Sequence, residues 1–341
     1  LGVNFKDLIP KNPVKLEDLN GKIIAIDAYN AIYQFLSIIR QPDGTPLKDS
    51  KNMITSHISG IFYRTTNLIE MGLKPIYVFD GKSPKLKSAE IERRRQVKVE
   101  AAASYQKALA SGDREKMRMY AQVATTMKDY MVLDSKKILD LMGLPWIQAP
   151  SEGEAQAAYI TKKGDAHYCS SQDYDSLLFG APKLLRNVTI SGRRKRGRVY
   201  VEVVPEIIEL NKVLGDCGLT YEQLIDVGIL IGTDFNDSTK GLGPKTALKL
   251  IKQYGCIEQA LPHIDGVTYA NKVSEIRHLF LHPEITDNYK IEWKNPDETG
   301  LMTFLCDEKE FGEERIKKAI ERMVVGSKKQ KGKVSLEKWF G

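Results

Sequence analysis

Lys22-Ile23-Ile24-Ala25-Ile26-Asp27 is a short apolar run that ends on an acid, and the chain uses the same design twice more. Residues 75–80 read PIYVFD. Residues 166–170 read AHYCS and lead directly into Ser171-Gln172-Asp173-Tyr174-Asp175. Runs this short, rich in β-branched and aromatic residues and separated by stretches of helical period, are buried parallel strands. Strands that alternate with helices predict an α/β fold, a mostly parallel central sheet with helices on both faces. Two further runs, 184–190 (LLRNVTI) and 198–204 (RVYVEVV), flank the basic turn Arg193-Arg194-Lys195-Arg196 and predict a β-hairpin.

Between the strands the chain is helical. Residues 88–130 are charged and break at Ser111-Gly112-Asp113, where Gly112 is placed to end one helix and Asp113 to cap the next. This pair is expected to project from the sheet. A helix near Tyr221, a polar loop and Gly241-Leu242-Gly243-Pro244-Lys245 lead to a second helix that starts at Pro244 and stops at Gly255. From Gly326 the composition becomes GSKKQKGK, a solvated linker, before an amphipathic stretch at 334–340.

Composition removes several classes of function. The 341 residues are 42% hydrophobic and 28% charged, as in soluble globular proteins. No apolar run approaches the roughly 20 residues of a membrane helix. Residues 1–13 lack the layout of a signal peptide, so an intracellular protein is expected. Cys169, Cys217, Cys256 and Cys306 form no CxxC pair and the five histidines no HExxH, which argues against a disulfide framework or a zinc centre. Lys and Arg exceed Asp and Glu by 51 to 44, a mild pull toward a polyanionic partner.

The chemistry lies in the acids. Asp27 and Asp80 end two strands; Asp173 and Asp175 follow the third, two apart, so that extended backbone turns both the same way. Glu152 and Glu154 sit at a helix start, and Asp234 closes the apolar run ILIGT. The carboxyl ends of strands are where open α/β sheets bind ligands. Carboxylates gathered there repel one another unless hard cations lie between them, and an oxygen-only set selects Mg2+ or Mn2+ over zinc. Each Asp taken singly reads first as a helix N-cap, and Ser151 with Glu154 fits a capping box. Glu152 and Glu154 can converge only if their first turn opens onto the rim. The joint pattern of acid-tipped strands favours the metal site. Just beyond Asp80, the cations Lys82, Lys85, Lys87, Arg93, Arg94, Arg95 and Lys98 form either a solvated helix face or a nucleic-acid contact.

Five segments, IDAYNAIYQFL (26–36), YVFDGKSPKLK (77–87), APSEGEAQAAY (149–159), SSQDYDSLLFG (170–180) and IGTDFNDSTKGLGPKTAL (231–248), resemble in order the motif blocks of flap endonucleases. These are structure-specific 5′ nucleases of the xeroderma pigmentosum G superfamily, and the compact length looks archaeal. The resemblance implies a PIN-like core that hydrolyses a phosphodiester where a 5′ flap leaves duplex DNA, with 5′→3′ exonuclease activity besides. It implies roles in Okazaki-fragment maturation and base-excision repair. Asp27, Asp80, Glu152 and Glu154 would serve a first Mg2+, and Asp173, Asp175 and Asp234 a second, with Mn2+ able to substitute. Lys87 and Arg94 would contact the scissile phosphate from a gateway helix. Tyr33 would stack on a base, and Arg40 and Arg64 would touch the duplex. Gly241, Gly243 and Lys245 would belong to a helix–two-turn–helix that grips the uncleaved strand and holds a K+ ion. In the family the N-terminal amino group lies near the active site, which draws notice to Gly2.

Residues 333–340 (KVSLEKWF) resemble the peptide that docks on the sliding clamp, proliferating cell nuclear antigen, through Leu336, Trp339 and Phe340. Lys333 stands where glutamine is usual. The implied organisation is one nuclease domain, 1–325, with a nuclease region and gateway helix (1–105), a helical cap (106–131), an internal nuclease region (132–220), the helix–two-turn–helix (221–256) and a C-terminal helical region (257–325). A flexible tail, 326–341, follows. A protein monomeric when alone is expected, cytoplasmic and nucleoid-associated in an archaeon or nuclear in a eukaryote. Two alternatives stand beside this reading: a sister exonuclease or bubble nuclease on the same core, and a DNA-binding scaffold without chemistry.

Overall fold

Strand β1 (Ile23–Asp27) is buried nearly throughout, as a central strand must be, and runs straight into helix α1 (Ala28–Ile38), for which Asp27 is the N-cap. Helix α2 (Ser56–Glu70) returns the chain to β2 (Lys74–Phe79), parallel to β1. The computed structural model describes residues 2–10, 12–190, 193–196, 199–269 and 272–340; the side chains of 193–202 and 328–340 lie outside the description.

After β2 come α3 (Ser88–Ser111) and α4 (Arg114–Val123). Gly112 closes the first, and the Asp113 side chain caps the second by accepting from Lys116 N at 3.1 Å. The chain continues through α5 (Asp129–Leu141), β3 (Trp146–Gln148), α6 (Gly153–Lys163), β4 (Tyr168–Ser170), the single turn α7 (Asp175–Leu178) and β5 (Lys183–Arg186). A hairpin of β6 (Arg193–Arg196) and β7 (Val199–Glu202) precedes β8 (Glu206–Glu209). The rest is helical: α8 (Leu210–Cys217), α9 (Tyr221–Ile231), α10 (Pro244–Tyr254), α11 (Ile257–Ala260), α12 (Val273–Leu281), α13 (Glu298–Met302) and α14 (Glu313–Phe340).

The sheet order is β3-β2-β1-β4-β5-β8, parallel except for β8 at the edge. Side chains alternate across it with period two. Ala25, Ile76 and Val78 face a core shared with α6 and α9, whereas Ile24, Ile26, Tyr77 and Phe79 face one shared with α1, α2, α5 and α14. Burying each of these branched or aromatic side chains stabilises the fold by about 1.5–3 kcal/mol, so the layer order follows from the strand sequences themselves. All strands from β1 to β5 point their carboxyl ends to one rim.

Some expectations need correction. The run at 184–190 does not pair with 198–204: β5 pairs antiparallel with β8, and the basic Arg193–Arg196 segment is itself a strand, paired with β7. The length of chain between 186 and 206 leaves room for a second, separate hairpin, which alternation alone did not separate. The division placed at 105/106 falls inside α3, because nothing before Gly112 interrupts the helix. The linker expected from Gly326 is helical, since α14 continues through it. Leu336, Trp339 and Phe340 have side chains outside the described residues, as do Arg193–Arg196.

Candidate active site

The rim is assembled from strand ends and the loops after them. Asp27 accepts from Asn30 N at 3.0 Å, closing the first turn of α1. Asn30, so placed, donates through Nδ2 to Asp173 Oδ2 at 2.9 Å and ties the β1 and β4 loops together. Asp80 lies one residue past β2 and accepts from Gly153 N at 2.6 Å. Glu152 is the N-cap residue of α6 but makes no side-chain cap bond, so the Ser151–Glu154 capping box is not formed. Glu154 instead accepts from Ser176 Oγ at 3.2 Å. Asp175 accepts from Val3 N at 2.7 Å. A Cβ on Gly2 would stand 2.3 Å from Asp175 Oδ2, so any larger residue there would have to displace this carboxylate.

These acids feel one another. Burial lifts Asp27 well above the usual carboxylate range, with Asp80 and Asp173 adding to it. Burial, then Glu152, pushes Asp80 up to about 6. Asp175 rises to about 7 through burial, Asp234 and Asp173. Glu154 is raised by burial and then by Asp175 and Asp27. Asp234 goes the other way: burial acts upward, but Lys87 and Arg94 outweigh it and hold the carboxyl below its ordinary value.

Lys87 and Arg94 are the cations that meet this rim. Lys87 pairs with Glu152 and stands 3.3 Å from Asp234 Oδ2, while Arg94 donates to Asp234 Oδ1 at 2.5 Å. Both reach inward from the start of α3, seven residues apart, on one face. Glu90 accepts from both Arg93 and Arg94 at 2.6 Å and fixes the second guanidinium. Asn30 and Glu90 were not singled out from sequence. The i,i+3 and i,i+4 spacing of Glu90 to the two arginines was legible there, whereas the Asn30 bond to Asp173 depends on two strands becoming neighbours.

Among the described residues, no three acidic, histidine or cysteine side chains close around one point as ligands of a single ion. The positive groups facing the acids here are Lys87 and Arg94. The donor set nonetheless fits hard divalent cations: every donor is a carboxylate oxygen, and four of the seven have pKa values lifted by burial and by each other.

The other expected contacts lie around this centre. Tyr33 is 37% exposed, and Lys98 Nζ lies 4.8 Å from its ring centroid. Arg40 is engaged internally: it donates to Gly44 O at 2.8 Å and bonds Thr125, which fastens the loop after α1 to the end of α4. Arg64 is half-buried on α2, and burial lowers its pKa. Gly241 and Gly243 stand between α9 and α10, and Lys245 lies in the first turn of α10. A Cβ on Gly243 would meet nothing within 4 Å, and its φ of −87° suits any residue. No atom of the described residues requires glycine there.

Residues 6–101 match the XPG N-terminal domain and residues 143–234 the XPG I-region. Over its whole length the chain is 53% identical to flap endonuclease 1 of Staphylothermus marinus, with all of that protein covered. It is 51% identical to flap endonuclease 1 of Pyrococcus furiosus, covering 100% of this chain and 99% of that one. Among solved structures, flap endonuclease-1 from Methanococcus jannaschii superposes with a TM-score of 0.77 at 42% identity, over 96% of this chain and 100% of that one. The catalytic core of Rad2 in complex with DNA substrate shares the fold at a TM-score of 0.70 and 23% identity, over 95% of this chain and 100% of that one.

Proposed function

The chain belongs to the flap endonuclease family of DNA nucleases, and from that premise we propose that its acid rim cuts 5′-flap DNA at the junction with two divalent ions. One observation carries the residue assignment: α3 delivers Lys87 and Arg94 onto the same carboxylates that the strand ends converge upon. Acids for metal and cations for phosphate thus meet at one place.

Asp27, Asp80, Glu152 and Glu154 are assigned to one ion, and Asp173, Asp175 and Asp234 to the other. Bound there, Mg2+ ions about 3.5–4 Å apart would supply an activated water and stabilise the attacking and leaving oxygens; Mn2+ has the same chemistry. Lys87 and Arg94 exchange their carboxylate partners for the scissile phosphate and stabilise the charge that develops on it. Their release frees Glu152 and Asp234 for metal. Tyr33 stacks on the base beside the junction. Gly243 leaves open backbone toward which a phosphate can approach, and the N-terminus of α10 with Lys245 favours that anion. K+ bound in this turn is part of the proposal. These are backbone contacts, so they select structure rather than sequence.

The tail supplies the partner assignment. Leu336, Trp339 and Phe340 fit one turn that anchors in an apolar pocket on a sliding clamp. A nucleoid-associated cytoplasmic monomer follows from the archaeal resemblance. Deleting residues 333–341 should abolish clamp stimulation and spare basal cutting; equal stimulation of the shortened chain would remove the tail's role.

The deciding experiment is cleavage of an end-labelled 5′-flap duplex with Mg2+ and then with EDTA, beside blunt and single-stranded controls. Metal-dependent cutting at the junction supports the proposal. End-trimming alone moves the assignment to an exonuclease, and binding without cutting in Mg2+ or Mn2+ moves it to a scaffold.

A further inference from the structure

Away from the acid rim, α12 presents two histidines to solvent. His278 lies on the helix and His282 at its C-cap, where His282 N donates to His278 O at 2.8 Å and preserves the four-residue helical spacing. Their ring centroids are 4.8 Å apart and the rings are tilted by 43°. Neither side chain has a hydrogen bond or ion pair among the described residues. The other three histidines are committed elsewhere. His57 is buried, His167 Nδ1 accepts from Ile23 N at 3.0 Å, and His263 stacks on Tyr254 at 4.4 Å.

The separation of the pair matches the geometry of a chelate. An imidazole nitrogen lies about 1.2 Å from its ring centroid and a metal–nitrogen bond is about 2.0–2.1 Å, which puts the ion about 3.2 Å from each centroid. Two rings on neighbouring positions of one ion, about 90° to 109° apart, then have centroids about 4.5–5.2 Å from each other. The observed value falls inside that window. The pair also opens onto a cavity of about 490 Å³, whose lining includes Glu275 and Glu284. Glu275 is three residues before His278 on the same helix side.

We propose that His278 and His282 form a two-histidine clamp for a transition-metal cation of the nickel–copper–zinc class, with water completing the coordination. Imidazole nitrogen favours these ions over Mg2+, whereas the all-oxygen rim favours Mg2+. The two sites therefore differ in chemistry as well as place. The same cavity is lined by Glu152, so a cation held by the pair would share it with one rim acid.

The test uses the full chain without a histidine tag, at pH 8, in millimolar Mg2+ to occupy the rim, titrated calorimetrically with NiCl2. One Ni2+ should bind per chain and raise the melting temperature. His278→Ala and His282→Ala should each weaken binding by about tenfold or more, because each removes one arm of the chelate. Both positions are exposed, and circular dichroism without Ni2+ checks that the variants keep the fold; His282→Gln, which retains bulk, provides a second check. Unchanged Ni2+ binding in these variants overturns the proposal. So does loss of binding in His263→Ala instead, or no Ni2+ binding by the parent chain.

Discussion

Asp226 and Asp175 are both nearly inaccessible, at 2% and 5% exposure, yet they are opposite kinds of buried acid. Asp226, on α9, accepts from Arg277 Nε at 2.8 Å, from Arg277 through a second nitrogen at 2.7 Å, and from Ile257 N at 3.0 Å. The chain itself supplies its counter-charge, and Arg277 bridges onward to Glu258 at 2.7 Å. Asp175 receives one backbone amide, and its charged neighbours Asp234 and Asp173 are acids. Burial of a carboxylate therefore says little about function. What distinguishes the two is whether folding brings the cation along or leaves a place for one from solution.

Asp175→Ala should separate the two kinds most sharply. Junction cleavage should fall by at least about 10²–10³-fold, while flap affinity stays close to that of the parent in a gel-shift titration. Undiminished cleavage would place the rim outside the chemistry. Asp226→Ala should do the reverse: it strips Arg277 of its buried partner and should cost about 3–5 kcal/mol in urea unfolding, with kcat per folded molecule preserved.

A smaller effect concerns pH without metal. The folded pKa values of Asp80 and Asp175 are lifted to about 6 and 7 from 3.8. A raised value means that the stability contribution is present while both states are protonated and is lost as pH rises through the folded value. In EDTA, the melting temperature should thus decline between about pH 4 and pH 7, and added Mg2+ should raise it most at and above the upper end. Asp175→Asn should flatten that decline; an unchanged slope would show that the rim does not repel itself. The smallest effect tests the scaffold under Asp226. Thr220 caps α9 in a reciprocal capping box with Gln223, and Thr220→Ala should cost about 1 kcal/mol in the same unfolding assay while leaving the metal response of the rim untouched.

Much of this was legible in the sequence because it is local. The strand cores, the Gly112–Asp113 break, the helix from Tyr221 and the proline start at Pro244 each depend on residues within a few positions. β3 and β8 were not, since WIQ and EIIE are too short to show a period and owe their pairing to neighbours far away in the chain. The same division holds in the site. The acids at 27, 80, 173 and 175 are marked by the strands they end. Their supports, Asn30 to Asp173, Val3 to Asp175 and Lys87 to Glu152, join residues 143, 172 and 65 positions apart. No spacing rule reaches that far. Arg40 shows the converse, a cation whose motif position suggested DNA and two of whose guanidinium nitrogens also bond within the fold.

The glycine pressed against Asp175 has a practical corollary for anyone who engineers this protein. Any side chain larger than hydrogen at position 2 has to displace the Asp175 carboxylate. A library randomised at that position should therefore favour glycine, as one at position 175 favours aspartate, because the two share one wall. Position 2 belongs with the rim, far though it lies from Asp175 along the chain.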